Sequence, residues 1–267
     1  MKGWYVHNYS KSVLKEQLNG ALHNQFFLRD KGPNFGVNLD ISFRCPLECL
    51  RCSRQHDFKR NGMPVWGHDI SLESIKKLTD VYKQFNFCGQ LSDPVHHPKF
   101  IEILEICYKN KASVTVHNAS SAKSERWYIE AFKAHPYANW WFGIDGLPEE
   151  SHKYRINQDG KKLFNIMLKS KEYLIEAPTW QYIIFKYNED HMEQAKQMAT
   201  DNNINILFVY SSKWLNEDDP LRPSKKDNHI FSEQHLLQPF VELVRSGKKY
   251  LDDEFHHYLK EPYEKIL

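Results

Sequence analysis

The chain has no long apolar segment and no large excess of one charge sign, and its number of cysteines is odd. Its longest apolar runs, residues 182–185 and 206–210, have the length of strands and are too short to cross a bilayer. The net charge is +2 over 267 residues, so electrostatics alone gives no argument for a nucleic-acid partner. The first residues lack the apolar core of a signal peptide, and the cysteines number five. These absences predict a protein of the reducing cytoplasm, without a membrane span or a disulfide framework.

The segments that are present alternate between strand and helix patterns from residue 35 to about 210. Runs rich in Val, Ile, Phe and Trp predict strands over residues 36–43, 85–88, 113–117, 140–144, 180–185 and 204–209. Helical periodicity predicts helices over residues 71–82, 99–109, 124–134, 160–175 and 190–202. Such alternation predicts an α/β fold with a parallel sheet and right-handed crossovers. We expect a core over 35–210, an N-terminal extension over 1–34 with a helix near 13–22, and a C-terminal extension over 211–267 with a helix near 233–246.

Three cysteines, Cys45, Cys49 and Cys52, lie together directly after the first predicted strand. Thiols at this density in a reducing compartment indicate a metal or iron–sulfur site rather than disulfides. A cubane [4Fe–4S] cluster is fully ligated by four cysteines, so three leave one iron open for an exogenous ligand. The alternative is a zinc site in which His56 completes a Cys3His set. Structural zinc ligands usually come from two separated knuckles, whereas these lie in one segment, which favours iron–sulfur.

The spacing Cys-x3-Cys-x2-Cys after a first strand resembles the radical S-adenosylmethionine (SAM) superfamily. The resemblance implies a partial (β/α)6 barrel with its site at the carboxyl ends of the strands, a [4Fe–4S] cluster on the three cysteines, and SAM at the open iron. It also implies reductive cleavage of SAM, hydrogen abstraction by a 5′-deoxyadenosyl radical, and an external flavodoxin- or ferredoxin-like electron donor. Cofactor chemistry of this kind explains why no Ser–His–Asp or paired-carboxylate arrangement is visible. Arg51 stands where the family often has an aromatic residue.

The segment after the second strand resembles the family's Gly-Gly-Glu-Pro turn, which binds the methionyl amino group of SAM. It reads Cys88-Gly89-Gln90 and continues to Asp93, with Cys88 in place of the first glycine and Gln90 in place of the acid. The resemblance implies that these four residues bind SAM. Gln90 can accept a hydrogen bond from the SAM ammonium group, and Asp93 can do the same or cap the next helix. The alternative is an ordinary strand–turn–helix.

Two further strand ends resemble SAM-facing segments of the family. Asn118 follows the third strand, at the place of a Thr-Asn-Gly turn that faces the SAM ribose or carboxylate. At the end of the fifth strand, Lys186 or Asn188 matches a common family pattern at the barrel mouth. His117, directly before Asn118, is expected to be structural rather than catalytic.

The fourth strand leads into residues that resemble an Ile-Asp-Gly…His…Arg signature of peptide-modifying and cofactor-maturing radical SAM enzymes. The resemblance places Asp145 against SAM or substrate, and it lets Arg155 bind a carboxylate in bidentate fashion. A helix cap at Asp145 and a surface ion pair at Arg155 are the alternatives.

The sequence gives less information about the substrate than about the cofactor. No cysteine follows Cys107, which is itself expected in the core. The chain therefore offers no cysteines for auxiliary clusters. This weakens the expectation that it forms peptide thioethers, since that chemistry often uses such clusters. We expect a peptide or protein side chain first, a nucleoside or nucleic-acid base second, and a small metabolite third. The basic, aromatic segment 58–66 could stack a base or hold a peptide, or form a solvated lid. A non-enzymatic zinc-binding module is the hypothesis from a different class.

Overall fold

A computed structural model describes residues 36–65, 67–89, 91–210 and 218–224 of the chain. The predicted N-terminal extension, most of the C-terminal extension and the helices expected in each lie outside the described residues, as do Trp66 and Gln90. Contacts divide the chain into two units, Met1–Ser224 and Lys225–Leu267.

Six parallel strands form one sheet in the order in which they occur along the chain. They are β1 to β6, in sequence Gly36–Leu39, Gln84–Cys88, Ser113–Asn118, Asn139–Gly143, Thr179–Ile184 and Asn205–Tyr210. Leu39 lies opposite Phe87, which lies opposite Val116, so the register is continuous across the first strands. Among the described residues β1 and β6 are the edges of the sheet and do not pair with each other. The α/β class predicted from the alternation and the open, partial barrel implied by the resemblance are therefore confirmed.

Five α-helices connect the strands, each crossing from the end of one strand to the start of the next. They are α1 to α5, in sequence Leu72–Val81, Phe100–Lys109, Glu125–Ala134, Gly160–Ser170 and Met192–Asp201. Three begin at a side chain that accepts a hydrogen bond from a backbone N–H of the first turn: Ser71 at α1, Ser124 at α3 and Asp159 at α4. These caps satisfy amide groups that the helix itself leaves unpaired. No helix in the described ranges is long and apolar enough to cross a membrane.

Aromatic side chains fill the core between the sheet and the helices. The Trp140 ring on β4 lies 4.8 Å from the Phe132 ring on α3, and the Trp180 ring on β5 lies 5.2 Å from the Phe164 ring on α4. Both tryptophans are fully buried. Cys107 on α2 is buried in the same layer, as its apolar neighbours predicted. Much of the high aromatic content is therefore used in packing, where each ring buries a large apolar area.

Two elements end several residues earlier than the sequence pattern predicted. Strand β1 was predicted to reach Phe43 but ends at Leu39, since its partner strand β2 itself ends at Cys88 and the pairing stops at Leu39–Phe87. The Asp40 carboxylate instead accepts the backbone N–H of Leu91 in the turn after β2, at 2.9 Å. Helix α4 was predicted to reach Ile175 but ends at Ser170. The amides that follow it close tighter turns, with the N–H of Tyr173 donating to Ser170.

Candidate metal and cofactor site

The loops that follow the strands meet at one edge of the sheet because the strands are all parallel. The carboxyl ends of such strands form the mouth of a barrel, where side chains from several strands can face one ligand. The loop after β1 carries Cys45, Cys49 and Cys52, and the segment after β4 carries Asp145 and Arg155.

The three cysteines lie on a loop that the segment after β4 holds in place. The backbone N–H of Leu50 donates to the carbonyl of Tyr154 at 3.2 Å, and that of Glu48 donates to Ile156 at 3.1 Å. All three cysteines are free and partly exposed. Their positions therefore depend on contacts with a segment about a hundred residues further along the chain, which the spacing motif alone does not specify.

Burial raises the pKa of two of these thiols, the carboxylates of Asp93 and Asp145 add to the rise at Cys45 and Cys49 respectively, and two guanidinium groups oppose it. Burial raises the pKa of Cys45 to about 12 and that of Cys49 to about 11. Two guanidinium groups counteract this rise: Arg54 lowers the pKa of Cys45 and Arg155 lowers that of Cys49. The Cys49 thiol also interacts with the thiols of both Cys45 and Cys52. A metal must displace the thiol proton before it binds, and positive charge beside a thiol favours the thiolate.

The donor set fits an iron–sulfur cluster with three protein ligands. It consists of three neighbouring thiols on one loop, two of them beside a guanidinium group. Over the described ranges, no three His, Cys, Asp or Glu side chains are arranged to hold a single metal ion. A tetrahedral zinc ion requires four donors within about 2.3 Å of one centre, whereas a cubane distributes its cysteine ligands over different irons. His56, the fourth ligand of the zinc hypothesis, is exposed on the short π-helix Arg54–Lys59.

Asp145 and Arg155 form a buried ion pair next to the cysteine loop. Arg155 Nε lies 2.7 Å from Asp145 Oδ2, a contact without hydrogen-bond alignment, and Arg155 Nη2 donates to Oδ1 at 3.4 Å. The Asp145 side chain is fully buried, whereas 13% of the Arg155 side chain is exposed. Burial raises the pKa of Asp145 and Arg155 opposes this. The remaining partner of Oδ1 is the backbone N–H of Ile183 on β5, at 2.9 Å.

A glycine makes room for this ion pair. A Cβ on Gly143, at the end of β4, would lie 2.8 Å from Nη2 of Arg155 and 3.0 Å from its Cζ. The guanidinium group therefore lies directly over the backbone of β4, on the side of the sheet away from the helices. Neither Gly143 nor the pairing of Asp145 with Arg155 was predicted as a feature of the site.

Gln158 and Ser151 hold the ends of β3 and β4 together and were not predicted as site residues. Gln158 Nε2 donates to the carbonyl oxygens of Ala119 at 2.6 Å and Gly143 at 2.8 Å. The Ser151 hydroxyl donates to Gln158 Oε1 and accepts the backbone N–H of Asp145 at 2.8 Å. Ser151 lies within the signature that contains Asp145, but nothing in the sequence indicates the role of Gln158.

The turn after β2 is stabilised mainly by contacts within the protein. A Cβ on Gly89 would lie 1.9 Å from the Ser92 carbonyl oxygen, so the turn itself requires glycine there. Asp93 Oδ2 accepts the N–H groups of Ala119 and Ser120, each at 2.8 Å, and Oδ1 accepts that of Val95 at 3.3 Å. Asp93 therefore caps the following 3-10 turn, the second of its two predicted roles.

Asn118 and Lys186 lie in different environments. Asn118 is buried: its amide donates to the Tyr128 hydroxyl at 2.9 Å and its carbonyl oxygen accepts the Ser120 N–H at 3.0 Å. Lys186 is exposed at the end of β5, where its backbone N–H donates to Leu221 at 3.2 Å. Asn188 is buried and bonds to backbone groups of Phe185 and Ile183.

Arg51 connects the cysteine loop to residues near the end of the described chain. Its Nη2 lies 2.9 Å from Oδ2 of Asp219, whose side chain is 1% exposed. Next to the same loop, a cavity of about 430 Å³ is lined by Cys45, Arg54 and Phe58 among others. Phe58 is buried, so the segment 58–66 is not wholly a solvated lid, although its Trp66 lies outside the described residues.

Searches for similar proteins return a shared fold and no sequence family. No family model matches the sequence, and no curated protein matches it. Streptococcus suis SuiB superposes with a TM-score of 0.53 at 11% identity, over 91% of this chain and 54% of SuiB. The structure of anSMEcpe with bound AdoMet and Cp18Cys peptide gives 0.52 at 15% identity, over 84% of this chain and 62% of that one. Methylornithine synthase PylB gives 0.50 at 12% identity, over 84% and 66%.

These three neighbours are radical SAM enzymes with partial barrels. Further SuiB structures hold S-adenosylmethionine or the precursor peptide SuiA. At such low identities the likeness establishes the fold alone. The chain spans little more than half the length of SuiB.

Proposed function

We propose that this chain is a radical SAM enzyme that binds one [4Fe–4S] cluster through Cys45, Cys49 and Cys52. The observation that carries the proposal is the placement of three free thiols on one loop at the carboxyl edge of an open parallel barrel. When bound, the cluster and SAM supply reductive SAM cleavage and a 5′-deoxyadenosyl radical that abstracts a substrate hydrogen. An external electron donor of the flavodoxin or ferredoxin type would reduce the protein in the cytoplasm.

In this proposal, two arginines oppose the effect of burial and favour the thiolate form that a bound cluster requires of Cys45 and Cys49. Arg54 is held beside Cys45 by hydrogen bonds from its Nη1 to the carbonyl oxygens of Phe43 and Leu91, the latter at 3.0 Å. Arg155 is held beside Cys49 by Asp145. A guanidinium group lowers the free energy of a neighbouring thiolate.

The residues expected to bind SAM divide into contact and positioning groups. The polar side-chain atoms of Asp93 and Asn118 bond to the protein, so we assign them to positioning the turns after β2 and β3. Asp145 likewise positions Arg155, whose partly exposed guanidinium group faces the site. Direct contact with SAM then falls to Cys88, Gly89 and Gln90 at the turn after β2 and to Lys186 across the mouth.

We propose a peptide or protein side chain as the substrate. Support comes from the neighbours, because SuiB has been crystallised with its precursor peptide SuiA and anSMEcpe with the Cp18Cys peptide. The superposition with SuiB includes 90% of this chain, and that with anSMEcpe includes 84%.

The test is anaerobic purification, cluster reconstitution and incubation with dithionite and SAM. We expect brown protein with about four irons per chain and formation of 5′-deoxyadenosine. Cys49→Ala should lose both. Cys107→Ala is the matched control, because that cysteine is buried on α2 away from the loop and should leave both intact. Colourless protein with one zinc per chain and unreacted SAM would overturn the proposal and favour the zinc module.

A further inference from the structure

The side of the sheet that faces away from the helices, called here the inner face, is unusually polar. Strand side chains alternate between the two faces, and Phe87, Trp140 and Phe142 contact the helices. Their neighbours therefore point inward. The register aligns the inner residues of β2 to β5 into rows, which run Asn86–Thr115–Asn139, Cys88–His117–Trp141–Thr179 and Gly143–Gln181.

The composition of the inner face differs from that of a closed, packed barrel. Such barrels are filled by layers of bulky Val, Ile and Leu side chains. At the inner-face positions of β2 to β4 most residues are instead neutral and polar: Gln84, Asn86, Ser113, Thr115, His117 and Asn139, beside Cys88, Trp141 and Gly143. At the strand positions of the inner face that the structure describes, there is no Asp, Glu, Lys or Arg. Polar groups inside a protein require hydrogen-bond partners, so this face is suited to a polar, uncharged occupant.

One buried atom on the inner face lacks a partner. Asn86 Oδ1 is buried without a hydrogen bond among the described residues. A buried acceptor left unpaired costs about 1–3 kcal/mol, and a donor supplied by a ligand would remove that cost. Since β1 and β6 do not pair in the described part of the chain, the interior is not closed by the sheet.

His117 and Trp141 form the centre of the inner face. Their rings lie 4.8 Å apart at 53°, and His117 hydrogen-bonds to Gln181. Burial lowers the pKa of His117 to about 4, so the imidazole is neutral near pH 7 and carries one donor and one acceptor nitrogen. This cluster lies one row below Gly143, over which the guanidinium group of Arg155 lies.

We infer that the inner face, centred on His117, Trp141 and Gln181, binds a primary carboxamide at the end of a substrate side chain, as in Asn or Gln of a peptide. A carboxamide is planar, uncharged, and both donates and accepts hydrogen bonds, so it satisfies neutral polar groups while its face packs on the indole of Trp141. A side-chain tip fits because the interior of a small barrel has room for side chains. The inference rests on the proposed function, since it names the substrate class of that site.

Other substrate groups are disfavoured here for physical reasons. A buried carboxylate or ammonium needs a compensating charge, and Arg155 at the mouth is already neutralised by Asp145. An alkyl group would leave Asn86 Oδ1 without a partner and would form no hydrogen bond with His117 or Gln181.

Binding of three capped amino acids of similar shape tests the inference. The probes are N-acetylglutamine, N-acetylglutamate and N-acetylmethionine N-methylamides, with uridine as a fourth. Their Kd values are measured by ligand-detected NMR on reconstituted protein with saturating SAM. We expect the glutamine probe to bind at least about 10-fold more tightly than the other three, which corresponds to about 1.4 kcal/mol. Formation of 5′-deoxyadenosine, measured separately, reports whether the proposed function itself holds.

Variants locate the binding to the inner face. His117→Phe and Gln181→Met should each reduce the glutamine preference to about 2-fold or less, because each removes a hydrogen-bonding group of the cluster. Gln197→Met is the matched control, since Gln197 lies exposed on α5 and bonds to Asp201. If His117→Phe does not fold, Gln181→Met carries the test alone. Equal binding of the glutamine and glutamate probes, tighter binding of uridine, or a preference that both variants retain would overturn the inference.

Discussion

Replacing Arg155 by leucine should destabilise the protein more than the loss of any surface ion pair. The substitution removes the cation that lies 2.7 Å from Asp145 Oδ2 and leaves a fully buried carboxyl group. The backbone N–H of Ile183 would be its main remaining partner. Breaking a buried pair by removing one member costs about 3–5 kcal/mol, because the other charge stays buried without compensation.

The loss should also depend on pH. Burial already raises the pKa of Asp145, and Arg155 opposes that rise. Without Arg155 the pKa rises further, so the folded variant retains a proton that the unfolded chain releases. Its stability therefore falls as the pH rises above the ordinary carboxyl value, and the difference from the parent protein should be smaller at about pH 5 than at about pH 8.

Urea unfolding at the two pH values measures this effect. Arg126→Leu is the control, since Arg126 and Glu130 form an exposed pair on α3 with Arg126 90% exposed. That pair should contribute about 0.3–0.5 kcal/mol. In Asp145→Asn/Arg155→Leu no charge remains buried, so the double variant should recover part of the loss. If Arg155→Leu unfolds no more easily than Arg126→Leu, or if its loss is the same at both pH values, the account of a coupled buried pair is wrong.

Four other substitutions test three separate features. Arg51→Met should lower the free energy of unfolding by about 3 kcal/mol, because it removes the guanidinium group that lies 2.9 Å from the buried carboxylate of Asp219; urea unfolding that matches the parent would show that the pair is not stabilising. Gly89→Ala should cost at least about 3 kcal/mol, since its Cβ would lie 1.9 Å from a backbone oxygen. Gly62→Ala should cost only about 1 kcal/mol, because it meets a positive φ but no neighbouring atom; equal shifts in Tm would refute that contrast. Burial raises the pKa of Asp93 to about 6, so the stability it contributes should fall as the pH rises from about 4 to about 6. Asp93→Asn should abolish that slope in unfolding midpoints, and a variant that keeps it would assign the slope to another group.

Hydrophobic patterning was sufficient to predict the elements. Val, Ile, Phe and Trp at strand spacing placed all six strands, and helical periodicity placed all five helices within a few residues. Patterning could not predict where β1 ends, because the end depends on where its partner strand β2 ends, a contact between residues far apart in the chain.

Local motifs were less informative about the role of each site residue. A motif identifies which residue types follow a strand, but hydrogen-bond partners come from other strands. Asp93 bonds to backbone groups after β3, and Asp145 bonds to Arg155 and to β5. Gln158 belongs to no recognised motif, although it connects the ends of β3 and β4.

The sequence by itself determined the alternation of strands and helices and the cluster of three cysteines, because both follow from residue types at short spacing. Only the tertiary structure decided which charges and hydrogen-bonding groups meet at the mouth. Parallel strand register aligned His117 with Trp141. The segment after β4 folded back so that Arg155 lies over Gly143 and its charge acts on Cys49. Those contacts join residues far apart in the chain, and their free energies depend on burial, which exists only once the sheet and helices have packed together.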